Sequence, residues 1–169
     1  MGRQIKLISW NVNGLRAVMK KDFSGIVKTL DPDILMLQET KLQEGQRSEE
    51  MIELHDYESH WSYATVKKGY SGVAAYTKTA PKSVKTVFDR PDIDQEGRII
   101  QMDFDTFTLF NIYFPNGQIS EDRLPYKLDI YDWFLSYAES LRAAGKSLVV
   151  TGDFNTAHNE IDLKNPGPN

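Results

Sequence analysis

Four polar residues close four hydrophobic runs in this sequence: Asn11 after IKLISW, Glu39 after DILMLQ, Tyr113 after FTLFNI and Asp153 after SLVVTG. Layered α/β folds bind ligands in the loops beyond strand ends, so these positions predict a shared site. The donors are carboxylate, amide and phenol oxygens. With no cysteine and only the scattered His55, His60 and His158, they suit Mg²⁺ (Mn²⁺ is the alternative) and not zinc. Such a cation stabilises charge on a phosphoryl oxygen and on a departing alkoxide. Glu39 is the candidate metal ligand, and Asn11 can orient Glu39 or a bound water. Asp153 is the candidate general base, with Asn155 positioning the attacking water or donating to a phosphate oxygen. Tyr113 can hydrogen-bond a phosphate or stabilise an anion. Each residue also has a plainer reading. Asn11 can cap the following segment and Asn13-Gly14 can form a turn. Tyr113 can be half-buried core, and Asp153 and Asn155 can form an Asx turn.

The elements that must position these residues alternate strand and helix. Residues 5–12 read as a strand and 15–30 as one helix stopped by Pro32. Residues 33–39, DILMLQE, are a continuous apolar run, as in a strand covered on both faces. EGQRSEEMIELHDY predicts a helix, and HWSYATV and GVAAYTK predict strands around KKGYSG. GRIIQMDF and FTLFNIYF predict a hairpin turning near Asp105-Thr106. Residues 121–145 carry the clearest helical pattern, with Leu124, Leu128, Tyr131, Leu135, Ala138 and Leu141 at 3–4 spacing and Gly145 to end it. SLVVTGD is the last strand.

At 169 residues, with 40% hydrophobic and 26% charged residues, the chain is sized and composed as one globular domain. Its net charge of −4 argues against a polyanionic partner, but its distribution does not. Residues 1–30 hold six Lys/Arg against one acid, residues 61–90 hold six against one, and residues 31–60 hold nine acids against two bases. Sorting of this kind can present one basic face, or simply a solvated surface. The absence of cysteine, of a signal-peptide run and of a long apolar span makes the cytoplasm the expected location and a membrane partner unexpected.

ISWNVNGLRA, LQETK, KKGYSGVA, YFPNGQ and TGDFNTAHNEIDLKNP together resemble, in order, successive blocks of the exonuclease III family of AP endonucleases. That family lies within the endonuclease/exonuclease/phosphatase superfamily. The resemblance implies a four-layer α/β sandwich, two mixed β-sheets flanked by helices, of which this chain resembles the N-terminal part. It implies Mg²⁺-dependent hydrolysis of double-stranded DNA 5′ to abasic sites and trimming of 3′ ends. It makes Asn11 and Glu39 the metal site, Tyr113 the active-site tyrosine, and Asp153 and Asn155 the base and its phosphate-binding neighbour. Arg16, Lys68, Gly69 and Tyr70 fall in segments that grip the DNA backbone, and Asn13 falls where some members carry an aspartate near the metal.

The family also carries a later aspartate, an aromatic-rich segment and a terminal Ser-Asp-His block, which do not occur here. His158 lies close to Asp153 in sequence and can be read as a substitute, although the family's own alanine-histidine at this place favours a structural role. The chain is therefore expected to be a fragment, supplying the first sheet and little of the second, with an apolar face left open. On its own it is expected to be inactive or nearly so, unless a C-terminal fragment complements it. Two other functions fit the residues: a phosphatase acting on a lipid or sugar phosphate, and a noncatalytic DNA-binding half-domain.

Overall fold

The computed structural model describes residues 4–117 and 122–163. Gln118 of YFPNGQ, and residues 164–166 of the last block, lie outside the described residues. Leu7–Asn11 (β1), Ile34–Gln38 (β2), Glu58–Ser62 (β3) and Val73–Thr77 (β4) form one sheet in the order β1-β2-β4-β3. Ser83–Lys85 (β5), Ile99–Asp103 (β6), Thr108–Tyr113 (β7) and Leu148–Asp153 (β8) form the other, in the order β5-β6-β7-β8. Both are mixed in the same way. The strands β1 and β8, each at a sheet edge, run parallel to β2 and β7, and every other pairing is antiparallel.

The expectation of a nearly missing second sheet is corrected. The predicted β6–β7 hairpin recruits β8 on one side and the short β5, which carried no sequence signal, on the other. The face between the sheets is closed as well. Ile34, Met36, Val73 and Ala75 of the first sheet pack against Ile100, Met102 and Leu109 of the second. Period-2 alternation sends the intervening residues outward. Leu35, Leu37, Ala74 and Tyr76 meet Leu15 of the helix Leu15–Met19 (α1), Phe23 and Val27 of Phe23–Leu30 (α2), and Met51 of Glu49–Ile52 (α3). On the far side Ile99, Phe110 and Ile112 meet Ile93 of Pro91–Asp94 (α4) and the long helix Arg123–Ala143 (α5). The result is four layers, helix–sheet–sheet–helix.

Three helix expectations change. The helix expected over EGQRSEEMIELHDY is only a 3-10 turn at Glu44–Gln46 and the four-residue α3. The single helix over 15–30 is broken between α1 and α2, where Asp22 turns left-handed (φ 59°) and its carboxylate caps the amide of Gly25. In α5 the leucine stripe faces outward, with Leu124, Leu128 and Leu135 at 52, 53 and 60% exposed. The buried face is Lys127, Ile130, Phe134 and Ala138. The aromatic residues decide this, because Phe134 packs edge-on against both Phe110 and Phe114, and a ring buries more area than a leucine. Among the described residues no helix is long and apolar enough to cross a membrane.

Candidate active site

The inner faces of the central strands grade from apolar to polar along one direction. At one end lie Leu7, Ile34, Met36, Leu109 and Val149. One pleat further on, Gln38, fully buried, donates to Ser9 Oγ at 3.1 Å and to Asn111 Oδ1 at 2.7 Å. Asn111, also fully buried, donates across the sheets to the carbonyls of Leu37 (3.1 Å) and Ala74 (2.8 Å). Asn11 stands beside Gln38 in register, Tyr113 and Asp153 follow one pleat beyond Asn111, and Glu39 lies just beyond β2. A polar layer therefore pins the sheets together directly beneath the residues singled out by sequence. Satisfied buried networks of this kind rigidify what they support.

Asn11 is the bridge. Its Nδ2 donates to Glu39 Oε1 at 2.9 Å and to Asp153 Oδ2 at 2.7 Å, joining one carboxylate from each sheet. Its Oδ1 accepts the Asn13 amide at 2.9 Å, and Asp153 Oδ1 accepts the Asn155 amide at the same distance. Both strand ends are thus Asx turns, and both third residues are left-handed, Asn13 at φ 46° and Asn155 at φ 50°. Glu39 is left-handed as well (φ 54°). Such backbone costs of order 1–3 kcal/mol per residue and clusters at functional sites. Gly152 is fixed by close approach: a Cβ there would sit 1.9 Å from the Ile112 carbonyl oxygen.

Burial raises the Glu39 carboxyl, but donation from Asn11, Lys41 and Tyr113 outweighs it and holds the group below its usual range. Lys41 lies 3.0 Å from Glu39 Oε2 and also donates to Asn13 Oδ1. Burial, followed by the charge of Glu39 and the bond to it, pushes the Tyr113 hydroxyl far up, so it acts as a donor. Among the described residues no three His, Cys, Asp or Glu gather as a metal cluster. The Glu39 carboxylate, which takes its hydrogen bonds from Asn11 Nδ2 and Lys41, still offers the hard oxygen donor of a divalent cation, which needs only one or two carboxylates and takes its other ligands from water and phosphate.

The remaining candidates divide. Arg16 and Gly69 line a cavity of about 210 Å³ with Gly14, Ala17, Thr40 and Lys41, immediately beside Glu39. Lys68 is exposed on the same loop as Gly69. Tyr70 is turned inward, where its hydroxyl accepts from Arg98 (2.8 Å) and Arg123 (3.0 Å). Arg98 also donates to the Tyr113 carbonyl at 2.8 Å, and its guanidinium lies 4.8 Å from the centre of the Tyr113 ring. Tyr70 therefore links the KKGYSG loop to Tyr113. His158 is exposed. The basic blocks do not form one face: Lys78 pairs with Asp31, and Lys82 with Asp105 at the opposite end of the strands. Larger cavities of about 440 and 260 Å³ also lie at that far end, lined by Phe104 to Phe107 and none of the candidate residues.

Sequence reasoning missed Lys41, Asn111, Arg98 and Lys127. Asn111 had a signal, an amide in the middle of FTLFNIY, and Arg98 another, a cation abutting IIQM. Lys127 had none, because the leucine stripe drew attention to the wrong face of α5.

Residues 8–169 match the Endonuclease/Exonuclease/phosphatase family. The chain is 45% identical over 166 residues to the exodeoxyribonuclease of Bacillus subtilis, covering 98% of itself and 64% of that protein. It is 42% identical over 166 residues to the DNA repair nuclease APEX1 of Danio rerio, covering 98% of itself and 53% of that relative. An AP endonuclease structure from Archaeoglobus fulgidus superposes with a TM-score of 0.80 at 27% identity, over 95% of this chain and 61% of that one. The chain spans about half to two thirds of the length of these relatives.

Proposed function

Because the chain belongs to the Endonuclease/Exonuclease/phosphatase family, we propose that its site serves divalent-metal-dependent hydrolysis of DNA phosphodiesters, 5′ to abasic sites and at 3′ ends. The observation that carries this reading is the Asn11 bridge between Glu39 and Asp153, which sets two carboxylates from different sheets around one amide. Glu39, braced by Asn11 and Lys41, would hold the cation, taken as Mg²⁺ on its oxygen donors, with Mn²⁺ able to replace it. That ion supplies neutralisation of charge on the phosphoryl and leaving oxygens.

Asp153 accepts the proton of the attacking water. Each of its oxygens already takes one hydrogen bond, which leaves lone pairs for the water and fixes their direction. Asn155 commits one Nδ2 hydrogen to the Phe114 carbonyl at 2.7 Å; the other is available to a phosphate oxygen. Tyr113, held protonated, would turn its single hydroxyl hydrogen from Glu39 to the same phosphate. Arg16, Lys68 and the Gly69 backbone engage flanking phosphates, while Tyr70 acts by docking its loop and does not itself touch the backbone. Asn13 steadies Asn11 and Lys41. His158 takes no catalytic part.

In this reading the histidine block of the longer family members completes the site along the β1 and β8 edges, and the 169 residues alone nick DNA little or not at all. The cysteine-free sequence supports a cytoplasmic setting. The test is nicking of a duplex with one abasic site by the full-length protein, with Mg²⁺ and with EDTA, beside a panel of lipid and sugar phosphates. Cleavage of the duplex only in Mg²⁺ is expected. Salt-dependent binding without cleavage, or turnover of the small phosphates alone, would overturn the reading.

A further inference from the structure

We propose that Lys127, together with Tyr131 one turn along α5, is a positioning residue for Asp153. The inference rests on the phosphodiesterase reading above. It starts from an anomaly: Lys127 is only 9% exposed and sits on the core face of α5 between apolar neighbours, where a lysine is rare unless paired. Its partner is a backbone carbonyl. Lys127 Nζ donates to Asn155 O at 2.5 Å. Tyr131 donates to the carbonyl of Phe154, and its hydroxyl lies 3.2 Å from Thr156 Oγ1. Two side chains four residues apart on one helix thus hold the two consecutive carbonyls that follow Asp153.

What they hold is strained. Asn155 is left-handed at φ 50°, a conformation that persists only where surrounding contacts over-determine it. That conformation turns the Asn155 amide back onto Asp153 Oδ1 (2.9 Å) and its side chain onto the Phe114 carbonyl (2.7 Å). With Oδ1 so occupied, Asp153 presents Oδ2 to Asn11 at 2.7 Å. The chain of contacts runs from the helix through the turn to the carboxylate. The clamp is itself confined. The Tyr131 ring stacks on Phe114 at 4.3 Å between centroids. A Cβ on Gly117 would lie 3.4 Å from Lys127 Cδ, so the PNG segment closes over the lysine stem. An ammonium there does what a neutral side chain of the same length cannot: it makes a charge-assisted bond to a carbonyl that has no helical or strand partner among the described residues.

The test compares Lys127→Met, Lys127→Arg and Tyr131→Phe in the full-length protein. Steady-state nicking of an abasic duplex is read as kcat and KM, and amide hydrogen exchange at Asn155 is read without turnover. Lys127→Met is expected to lower kcat at least about tenfold, since small misplacements of a reacting group are costly. KM is expected to stay within about threefold, and Asn155 exchange to speed up by a similar factor of ten or more. Lys127→Arg keeps the charge and recovers most of kcat. Tyr131→Phe keeps the ring stack, loses the grip on Phe154 and the contact with Thr156 Oγ1, and falls between wild type and Lys127→Met; it decides the matter if Lys127→Met does not fold. Wild-type kcat in Tyr131→Phe and in a folded Lys127→Met overturns the clamp, as does a loss confined to KM. A wild-type protein with no metal-dependent nicking overturns the underlying reading instead, and the exchange data then show whether the clamp is purely structural.

Discussion

The two sheets are built alike and end differently. In each, a parallel edge strand runs into an Asx turn whose third residue is a left-handed asparagine, at Asn11–Asn13 after β1 and at Asp153–Asn155 at the end of β8. The first turn begins with an amide and the second with a carboxylate. One atom pair therefore separates a residue that can give two hydrogens to its neighbours from one that can only accept. Asn11 spends those hydrogens on Glu39 and Asp153, tying a carboxyl just beyond β2 to one at the end of β8. The same local turn holds the site together on one side and carries the proposed base on the other.

The largest expected effect comes from erasing that difference. Asn11→Asp removes both bridging hydrogens and sets a third carboxylate against Glu39 and Asp153. Nicking should fall at least about 100-fold, the scale of losing a positioned acid–base group, with the circular dichroism spectrum unchanged.

A second contrast is the outer layer of the second sheet. Phe134→Ala should cost about 3–5 kcal/mol, while Leu135→Ala, on the exposed stripe, should stay within about 0.5 kcal/mol; urea unfolding measures both. Next comes the seam between the sheets. Asn111→Leu fills the same volume but removes the Asn111 bonds to Gln38, which keeps only Ser9, and to the Leu37 and Ala74 carbonyls. About 1–3 kcal/mol of stability should be lost.

The smallest effect is a pH asymmetry at the far end of the second sheet. Burial raises the Asp103 carboxyl, but Lys146, Thr108 and Ser83 outweigh it and bring it down to about 2. A carboxyl lower in the folded than in the unfolded chain stabilises above its ordinary value of 3.8 and loses that contribution as pH falls towards 2. Thermal unfolding should show the wild type losing about 1–2 kcal/mol more than Asp103→Asn across that window.

Much of this was legible in the sequence, for physical reasons. A short apolar run such as ILMLQ fits a covered strand, and a polar residue closing it then lies at a sheet's end, so Asn11, Glu39, Tyr113 and Asp153 could be placed before any fold was known. The bridge by Asn11 was not legible, because it depends on how far apart two sheets sit. Neither was the orientation of α5: six residues at 3–4 spacing suggest a buried stripe, yet Phe134 and its aromatic neighbours bury more and turn Leu124, Leu128 and Leu135 outward, while Tyr131, Ala138 and Leu141 stay packed on the core. Tyr70 fell in the segment expected to grip DNA, and the two arginines that draw it inward come from β6's approach and from α5, remote in sequence. The second sheet was underestimated because three-residue β5 carries no periodic signal and β8 was read without its partner.

The proposed site is made jointly by the two sheets. The direct measurement is a double-mutant cycle on abasic-duplex nicking by the full-length protein in Mg²⁺, using Glu39→Gln from the first sheet and Asp153→Asn from the second. Groups that act as a unit are strongly non-additive. Each single variant should lose at least about 100-fold, and the double variant only a few-fold more than the worse single. Wild-type turnover in either single variant, or losses that simply multiply, would contradict a shared site.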